Sequence, residues 1–456
     1  MIKQDIYDEV QSLAPLGRKI SRHLWNNPEI SGQEVASADY YRKIMAKEGF
    51  TIHNSRTLPT AFYAEYGSGK PVLAVLGEYD ALPGLSQEAA AEKKAIVEGG
   101  PGHGCGHNLL GSAAAIGAIA LKRFLEQSGT SGTIRFYGCP EEEILCGKVK
   151  MIAEGMFEGC DAALSWHPMD ANLAHDRAYL ANTSMKFFFS GRTSHAAFAP
   201  ERGRSALDAV ELMSVGCNYL REHVVDKTRI HYTTDSGGFA PNIVPDKASA
   251  WYFVRAPRIS DVKDTAERVE RVAAGAAMMT DTTVRVEHGY GCCEFKENNA
   301  FGSLTYANLV EADGPKYTKA ELDFAQELQN SVDPAIVKAN ASLYSNMVPA
   351  MHMGVGDRDL WKSCQMTASS DTGDVSYVMP TGLFTTACWP IGCSPHTWQS
   401  AASAGTTIGE KGAHYAAKVI AGTGYDLLMK PELLAKIKRE FDDRDDGTYQ
   451  PMLADE

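Results

Sequence analysis

Residues 102–108 carry the densest group of metal-binding side chains in the chain and read Gly-His-Gly-Cys-Gly-His-Asn. Cys105 and His107 are two residues apart, a spacing at which a thiolate and an imidazole can reach one ion. The glycines between them keep the backbone free to bring the ligands together. Three soft side chains in five residues favour a metal site over a glycine-rich helix start with incidental histidines.

Two carboxylate motifs follow predicted strands, Gly-Glu-Tyr-Asp-Ala-Leu-Pro at 77–83 and Pro-Glu-Glu-Glu at 140–143. An acid just past a strand, such as Asp80, points into the crevice where α/β sheets bind ligands. On its own Asp80 also fits a turn. Adjacent glutamates repel unless a cation or proton is shared, and consecutive residues point in different directions, which suits one ligand and one general base. A Glu-rich first helical turn is the alternative.

Two single histidines extend this set, His167 in Ser-Trp-His-Pro and His396 in Ser-Pro-His-Thr-Trp. An isolated histidine is more often structural than a ligand. His167 follows a predicted strand of the sheet that presents Asp80 and the glutamates, which favours convergence on one site. His396 can join only if the C-terminal segment folds back onto this domain.

Other chemistries leave few traces in the sequence. Gly69 and Lys70 lack the spacing of a phosphate-binding loop, and no G-x-S-x-G nucleophile motif is present. Cys105 with His107 could act as a thiol nucleophile. A thiol nucleophile needs no neighbouring cluster of carboxylates, however, whereas a dinuclear metal site does.

Helical and strand patterns alternate around these motifs, as in an α/β domain. Helices are predicted at 7–27, 34–48, 109–126 and 401–421, and strands at 61–66, 72–76, 133–137, 162–166 and 383–388. Residues 67–71, Gly-Ser-Gly-Lys-Pro, indicate a hairpin between the first two strands.

The pattern changes near residue 182 to two helices among four strands, which predicts a small α+β insertion. The helices are predicted at 206–220 and 262–279, and the strands at 185–190, 230–234, 248–255 and 283–290. We therefore predict a catalytic domain in two parts, 1–181 and 299–456, interrupted by an inserted domain at 182–298. The segment 299–370 has no clear function; its Met347, Met351 and Met353, beside His352, are interpreted as core filler rather than a pocket cap.

Composition limits the partners and the compartment. Lys and Arg number 44 against 57 Asp and Glu, a net charge of −13, which argues against nucleic acid as a partner. The small and apolar run 109–121 stops at Lys122 and is shorter than the roughly 18 residues of a membrane span. The first ten residues show no secretory pattern, and ten unevenly spaced cysteines indicate reduced thiols. We expect a cytoplasmic protein with no membrane partner.

Taken in order, these motifs resemble the M20 metallopeptidases, in particular their aminoacylase and amidohydrolase branch. The resemblance includes Ser-His-Ala-Ala at 194–197 and Pro-Asn-Ile-Val-Pro at 241–245 and so spans nearly the whole chain. It implies a zinc-peptidase-like α/β catalytic domain, with a mixed sheet flanked by helices, and an inserted α+β lid or dimerisation domain. It also implies a homodimer, with a second homologous subunit as an open alternative.

The resemblance assigns roles to individual residues. It implies two divalent ions per subunit, Mn or Zn, which lower the pKa of a shared water. Glu142 would be the general base and Asp80 would orient a ligating histidine. The implied metal ligands are Cys105, His107, Glu143, His167 and His396. In the lid, His195 would stabilise the oxyanion in the partner's active site, while Asn242 and Arg255 would hold the substrate's carboxylate.

Two departures from the family pattern bear on these roles. Asn108 stands where many members of this branch have Asp, and Glu141 stands where Ala is usual. The second makes the assignment of Glu142 as base and Glu143 as ligand dependent on register.

The resemblance implies a metal-dependent amidohydrolase. The expected reaction cleaves the amide between an aryl or acyl group and an amino acid, with p-aminobenzoyl-glutamate as the leading candidate. One alternative is an aminoacylase or dipeptidase for other N-acyl amino acids, such as indole-acetyl or β-alanyl conjugates. The other is a metal-binding subunit without turnover, which the intact Glu142 disfavours.

Overall fold

The chain forms two compact units in the computed structural model, which describes residues 2–174, 179–343, 347–348, 350–359, 367–444 and 447–455. Unit 1 comprises the described residues within 1–177, 296–364 and 375–449, and unit 2 those within 178–295, 365–374 and 450–456. The domain boundaries predicted from sequence differ from these units chiefly because the described residues 367–374 and 450–455 group with unit 2.

The helices and strands are labelled in chain order. The first half contains α1 (Lys3–Ser12), α2 (Ala14–Asn26), α3 (Val35–Lys47), β1 (Thr51–Asn54), β2 (Phe62–Ser68), β3 (Val72–Glu78), α4 (His107–Ser128), β4 (Gly132–Cys139), α5 (Gly147–Ala153), β5 (Ala162–Met169), β6 (Leu173–Ala174), β7 (Ala181–Ser190) and α6 (Ala206–Leu220). The second half contains β8 (Arg229–Ser236), β9 (Lys247–Ala256), α7 (Ile259–Thr280), β10 (Thr283–Cys292), α8 (Asn299–Glu311), α9 (Lys319–Gln329), α10 (Pro334–Ala341), β11 (Met347–Val348), β12 (Met351–His352), α11 (Thr372–Val378), β13 (Thr381–Ala387), α12 (Trp398–Ala404), α13 (Thr407–Met429) and α14 (Pro431–Asp442).

Unit 1 is built on a mixed seven-stranded sheet of order β1-β2-β4-β3-β5-β13-β6. Its central strands β4, β3, β5 and β13 run parallel, while β1, β2 and β6 are antiparallel to their neighbours. Every residue of β3 and β13 is buried, as expected for parallel strands covered on both faces. The carboxyl ends of β3, β4 and β5 therefore meet at one edge of the sheet.

The hairpin predicted between β2 and β3 is wrong. Strand β4 lies between them, pairing antiparallel with β2 and parallel with β3. The hairpin that does form joins β1 to β2, with Asn54 opposite Phe62. The apolar run 72–76 marks a central strand that needs two neighbours, and a local turn signal cannot reveal a partner 60 residues further along the chain.

Helix α4 is the central helix of unit 1 and is longer than the apolar run that predicted it. It is long and apolar enough to cross a membrane by length and composition, but 94% of that segment is buried inside the protein. It continues past Lys122, whose ammonium group lies 2.6 Å from Glu126 and over the ring of Tyr66. Its buried position makes it a core helix of unit 1.

Two long predicted helices are each split into two. Leu13 separates α1 from α2, whose first turn contains Pro15; proline has no N–H to continue the helix before it. Gly405 and Thr406 separate α12 from α13. A Cβ at Gly405 would lie 2.4 Å from the Trp25 ring, and Thr406 caps α13 by accepting a hydrogen bond from Ile408.

The methionine-rich part of the segment 299–370 contributes to the core of unit 1 where it is described. Met351 is fully buried in a cluster with Ala325 and Ile408, and Met353 packs against it. Residues 344–346, 349 and 360–366, and the side chain of Met347, lie outside the described part of the chain.

Unit 2 contains an antiparallel sheet of order β10-β7-β9-β8 with α6 and α7 packed on one face. The two predicted helices and four predicted strands are all present. In the second halves of β7 and β9, buried residues alternate with partly exposed ones, in the manner of a sheet with one covered face. The sequence pattern was strong enough here to place α6 at its observed ends, Ala206 and Leu220.

Candidate metal centre

The carboxyl edge of three parallel strands positions the candidate site in unit 1. Glu78 is the last residue of β3, Glu142 and Glu143 follow β4 in a 3₁₀ turn, and His167 lies near the end of β5. His107 is the first residue of α4. The position agrees with the rule that α/β sheets bind ligands beyond the carboxyl ends of their strands.

The C-terminal segment folds back onto the loop that precedes α4. The carbonyl of Gly104 accepts hydrogen bonds from the His396 backbone, 2.9 Å, and from the Ser400 hydroxyl, 2.6 Å. Gly106 has φ of 75°, a left-handed conformation that favours glycine at the start of the helix. These contacts hold His396 beside Cys105. The fold-back of the C-terminal segment, on which the role of His396 depended in the sequence analysis, is therefore present.

Two groups of potential ligands share Cys105. One contains Cys105, His107 and His167, and the other contains Cys105, Glu143 and His396; in each, the ligand atoms lie within 4.8 Å of one another. The Cys105 Sγ is 3.3 Å from His167 Nε2, and His396 Nε2 is 3.2 Å from a Glu143 oxygen. All five residues named as ligands from the resemblance thus lie in this arrangement, with the Cys105 sulfur common to both groups.

A third group contains Glu78, His107 and Glu142. Glu78 Oε2 lies 3.3 Å from His107 Nε2, and Glu142 Oε2 lies 3.8 Å from the same atom. The other Glu78 oxygen is 2.6 Å from the ammonium group of Lys148, and both side chains are buried. The sequence analysis missed Glu78 and Lys148. The signal for Glu78 was its place in the 77–83 motif, whereas nothing near Lys148 indicated it.

The donor atoms fit divalent cations. Glu78 Oε2, His107 Nε2 and Glu143 Oε1 are buried and make no hydrogen bond within the described part of the chain. Buried polar atoms without partners are rare in native proteins because each one costs desolvation free energy. Thiolate, imidazole and carboxylate together are a ligand set typical of zinc and other first-row ions.

The pKa shifts of three candidate ligands also support a site for cations. Burial and the nearby Glu143 raise the pKa of Cys105 well above its usual range. Burial opposes protonation of His107, but Cys105 and Asp80 prevail and raise its pKa. Burial, with the neighbouring His107, lowers the pKa of His167 to about 4, so this imidazole is neutral and keeps a lone pair for a metal. The site concentrates negative charge that cations would neutralise.

Asp80 holds the ligands rather than the ion. Its Oδ1 is 2.9 Å from His107 Nδ1, and its Oδ2 accepts hydrogen bonds from the Ser31 hydroxyl and the Glu143 backbone, each at 2.9 Å. A proton on His107 Nδ1 leaves the Nε2 lone pair directed into the cluster.

We expect Asp80→Asn to weaken metal binding by about 10- to 100-fold, the usual cost of losing such a partner. Asp80 faces three donors, and an amide NH₂ would confront one of them. Chelator competition titrations measure the change, with Ser31→Ala as a control that removes only one donor. Wild-type affinity in Asp80→Asn would show that Asp80 does not orient His107 for a metal.

The two departures from the family pattern have structural explanations. Glu141 has φ of 59° and directs its carboxylate to Lys150, 2.6 Å, and Cys146, 3.0 Å, away from the ligand groups. This supports Glu142 and Glu143 as the functional pair. The Asn108 amide donates to the Ser21 hydroxyl and the Ala404 carbonyl, each at 3.1 Å, and so ties α4 to α2 and α12.

His103, the third soft side chain of the 102–108 motif, is not a member of these ligand groups. It is buried beside a small cavity of about 180 Å³, and burial lowers its pKa to about 3. His103 was counted among the soft side chains of the motif, and the five ligands implied by the resemblance do not include it.

The substrate-binding and oxyanion candidates lie in unit 2. His195 is exposed, and its Nδ1 accepts hydrogen bonds from the backbones of Ala197 and Phe198, so its Nε2 carries the proton and can donate. The Asn242 carbonyl accepts a hydrogen bond from Ala196, and the Asn242 residue is exposed. Arg255 lies on β9, 3.2 Å from the Ser369 hydroxyl.

Comparison with known proteins identifies the family. The chain is 39% identical to one of the subunits of p-aminobenzoyl-glutamate hydrolase from Escherichia coli (strain K12), covering 96% of this chain and 95% of that protein. The chain belongs to the M20 family. A family profile described as a peptidase dimerisation domain matches residues 181–278. The predicted family membership is confirmed, and with it the class of hydrolases.

Solved structures confirm the predicted fold class. A Staphylococcus aureus putative aminohydrolase superposes with a TM-score of 0.68 at 18% identity, covering 94% of this chain and 99% of that one. A Bacillus subtilis dinuclear metal-binding peptidase of the M20 family superposes with a TM-score of 0.59 at 18% identity, covering 92% and 99%. At these identities the likeness shows the fold alone.

Proposed function

We propose that this M20 hydrolase is a dimetal amidohydrolase that cleaves the amide between an aryl or acyl group and an amino acid, with p-aminobenzoyl-glutamate as the preferred substrate. The observation that carries the proposal is the pair of ligand groups that share Cys105, with Glu142 beside His107. The substrate is suggested by the relative that is 39% identical over nearly the whole chain.

The proposed site holds two divalent ions, Mn or Zn, through Cys105, His107, Glu143, His167 and His396. When bound, such ions polarise the amide carbonyl and lower the pKa of water. Asp80 keeps His107 in the tautomer that presents Nε2. The neutral His167 and the shared Cys105 complete a set with both soft and hard donors.

Glu142 is the proton carrier in this proposal. It is buried and borders the ligand groups without belonging to the two that share Cys105. Its carboxylate accepts a proton from the water that attacks the amide carbon and then donates it to the departing amine nitrogen. The C–N bond breaks as that nitrogen is protonated, which gives a free amine and a carboxylic acid that loses its proton to solvent.

Unit 2 supplies the remaining roles. His195, protonated on Nε2, is proposed to donate to the oxyanion that forms on the carbonyl oxygen in the active site of the partner subunit. Asn242 and Arg255 are proposed to bind the substrate's carboxylate, a task for which the planar guanidinium is suited. We also propose that the chain works as a cytoplasmic homodimer, which the dimerisation-domain match supports.

Release of p-aminobenzoate from p-aminobenzoyl-glutamate by the purified chain tests this proposal. We expect activity to disappear on chelation and return with added manganese or zinc. Hydrolysis that withstands removal of all metal would contradict the metal mechanism. Turnover of N-acetyl amino acids or dipeptides but not of p-aminobenzoyl-glutamate would replace the substrate and leave the mechanism standing. Metal binding without turnover of any of them would identify a non-catalytic subunit.

A further inference from the structure

A cavity of about 380 Å³ lies in unit 1 among α2, α4, the loop 313–316 and the first half of α13. None of the proposed metal ligands, nor Glu142 or Asp80, lines it. Its apolar lining includes Ala113, Ile116 and Ala417. The volume falls within the range of about 300–1,000 Å³ that is usual for small-molecule sites.

The charges around this cavity are unequally paired. The three acids that line it are each held by a base: Glu410 by Arg22 at 2.5 Å, Glu321 by Lys411 at 2.6 Å and Asp313 by Lys316 at 3.1 Å. Two lining cations, Arg18 and Lys418, have no ion pair with any described residue. The cavity therefore has positive charge left over after its internal pairs are formed.

The pKa of His414, which also lines the cavity, reflects this positive potential. Burial, with Lys418 and Arg18 nearby, lowers its pKa to about 4, so it stays neutral. Its Nε2 lies 3.0 Å from the Gln11 side-chain oxygen and donates to it. The neutral imidazole, held by Gln11, lines the cavity with a polar group and does not itself form an ion pair with a bound anion.

We propose that this cavity is a binding site for a small organic monocarboxylate with an apolar body, separate from the metal centre. The carboxylate lies between Arg18 and Lys418, where the guanidinium can make paired hydrogen bonds. The apolar body packs on Ala113, Ile116 and Ala417. A neutral molecule of the same shape lacks the charge that the two cations complement, so it binds more weakly.

Isothermal titration of the full chain with benzoate, and with benzamide as the neutral control, tests the site. The paired variant Arg18→Gln/Lys418→Gln is expected to weaken benzoate binding about tenfold or more, because it removes both charged hydrogen-bond donors to the carboxylate. The matched control Lys263→Gln/Lys436→Gln removes two exposed lysines elsewhere and is expected to bind as the wild type does.

A metal-site variant separates this site from the metal centre. In His396→Ala, we expect benzoate binding at the cavity to persist. The proposal is overturned if benzoate binding is lost in His396→Ala and kept in Arg18→Gln/Lys418→Gln, if benzamide binds equally well, or if benzoate does not bind at all. Lys418→Gln alone is expected to give an intermediate loss, which guards against misfolding of the double variant.

Discussion

Glu142→Gln is expected to lower kcat for p-aminobenzoyl-glutamate by about 10²- to 10⁴-fold, the usual contribution of a positioned general base. Glutamine keeps the shape of the side chain but cannot accept the proton of the attacking water. Because Glu142 lies outside the two ligand groups that share Cys105, the metal content and the KM should change far less than kcat.

Glu141→Gln is the matched control for this prediction, because it makes the same chemical change one residue earlier. The Glu141 carboxylate contacts Lys150 and Cys146 rather than the ligand groups, so most of kcat should remain. Steady-state kinetics and elemental analysis of both variants decide which of the adjacent glutamates is the general base. An equal loss in Glu141→Gln, or a metal-depleted Glu142→Gln, would contradict the assignment of Glu142 as base.

Lys148→Met is expected to lower the free energy of unfolding of the metal-free protein by about 3–5 kcal/mol, the usual cost of removing one partner of a buried ion pair. Lys148 and Glu78 are 2.6 Å apart, with exposed side-chain fractions of 0% and 3%. Methionine preserves most of the side-chain volume, so the loss reflects the carboxylate left without its cation.

Two further variants isolate this effect in denaturant titrations. Glu78→Gln/Lys148→Met should recover much of the loss because it removes both charges. Lys319→Met makes the same change in a pair with Asp323 whose side chains are 88% and 63% exposed, where we expect a cost of about 0–1 kcal/mol. Equal losses in Lys148→Met and Lys319→Met would refute the buried pair as a stabilising element.

The sequence predicted the helices and strands of unit 2 better than the order of strands in unit 1. Local signals mark these elements: β7 and β9 alternate in part, and the Ser205 side chain caps the start of α6 at Ala206. The failed hairpin at 67–71 shows the limit: pairing of β2 and β3 with β4 depends on contacts far apart in the sequence. The split at Gly405 likewise depends on Trp25, nearly 400 residues away.

In the candidate site, too, residues with a local sequence signal could be predicted, and residues that only the fold brings together could not. Cys105 and His107 stand out because their motif is local, and the acids at 140–143 because they repel without a cation. His396 could be joined to them only through a resemblance or a structure, since a single histidine carries no local signal. Lys148 is the clearest omission: a lysine on a short helix looks exposed until the fold buries it against Glu78.

The metal content of Cys105→Ala, compared with that of His167→Ala and His396→Ala, tests the central claim most directly. If Cys105 is shared by the two ligand groups, the wild type should bind two divalent ions per chain, each histidine variant should lose one, and Cys105→Ala should lose both. Elemental analysis of purified, dialysed protein gives the stoichiometry. Retention of both ions by Cys105→Ala would contradict a centre built around this thiolate.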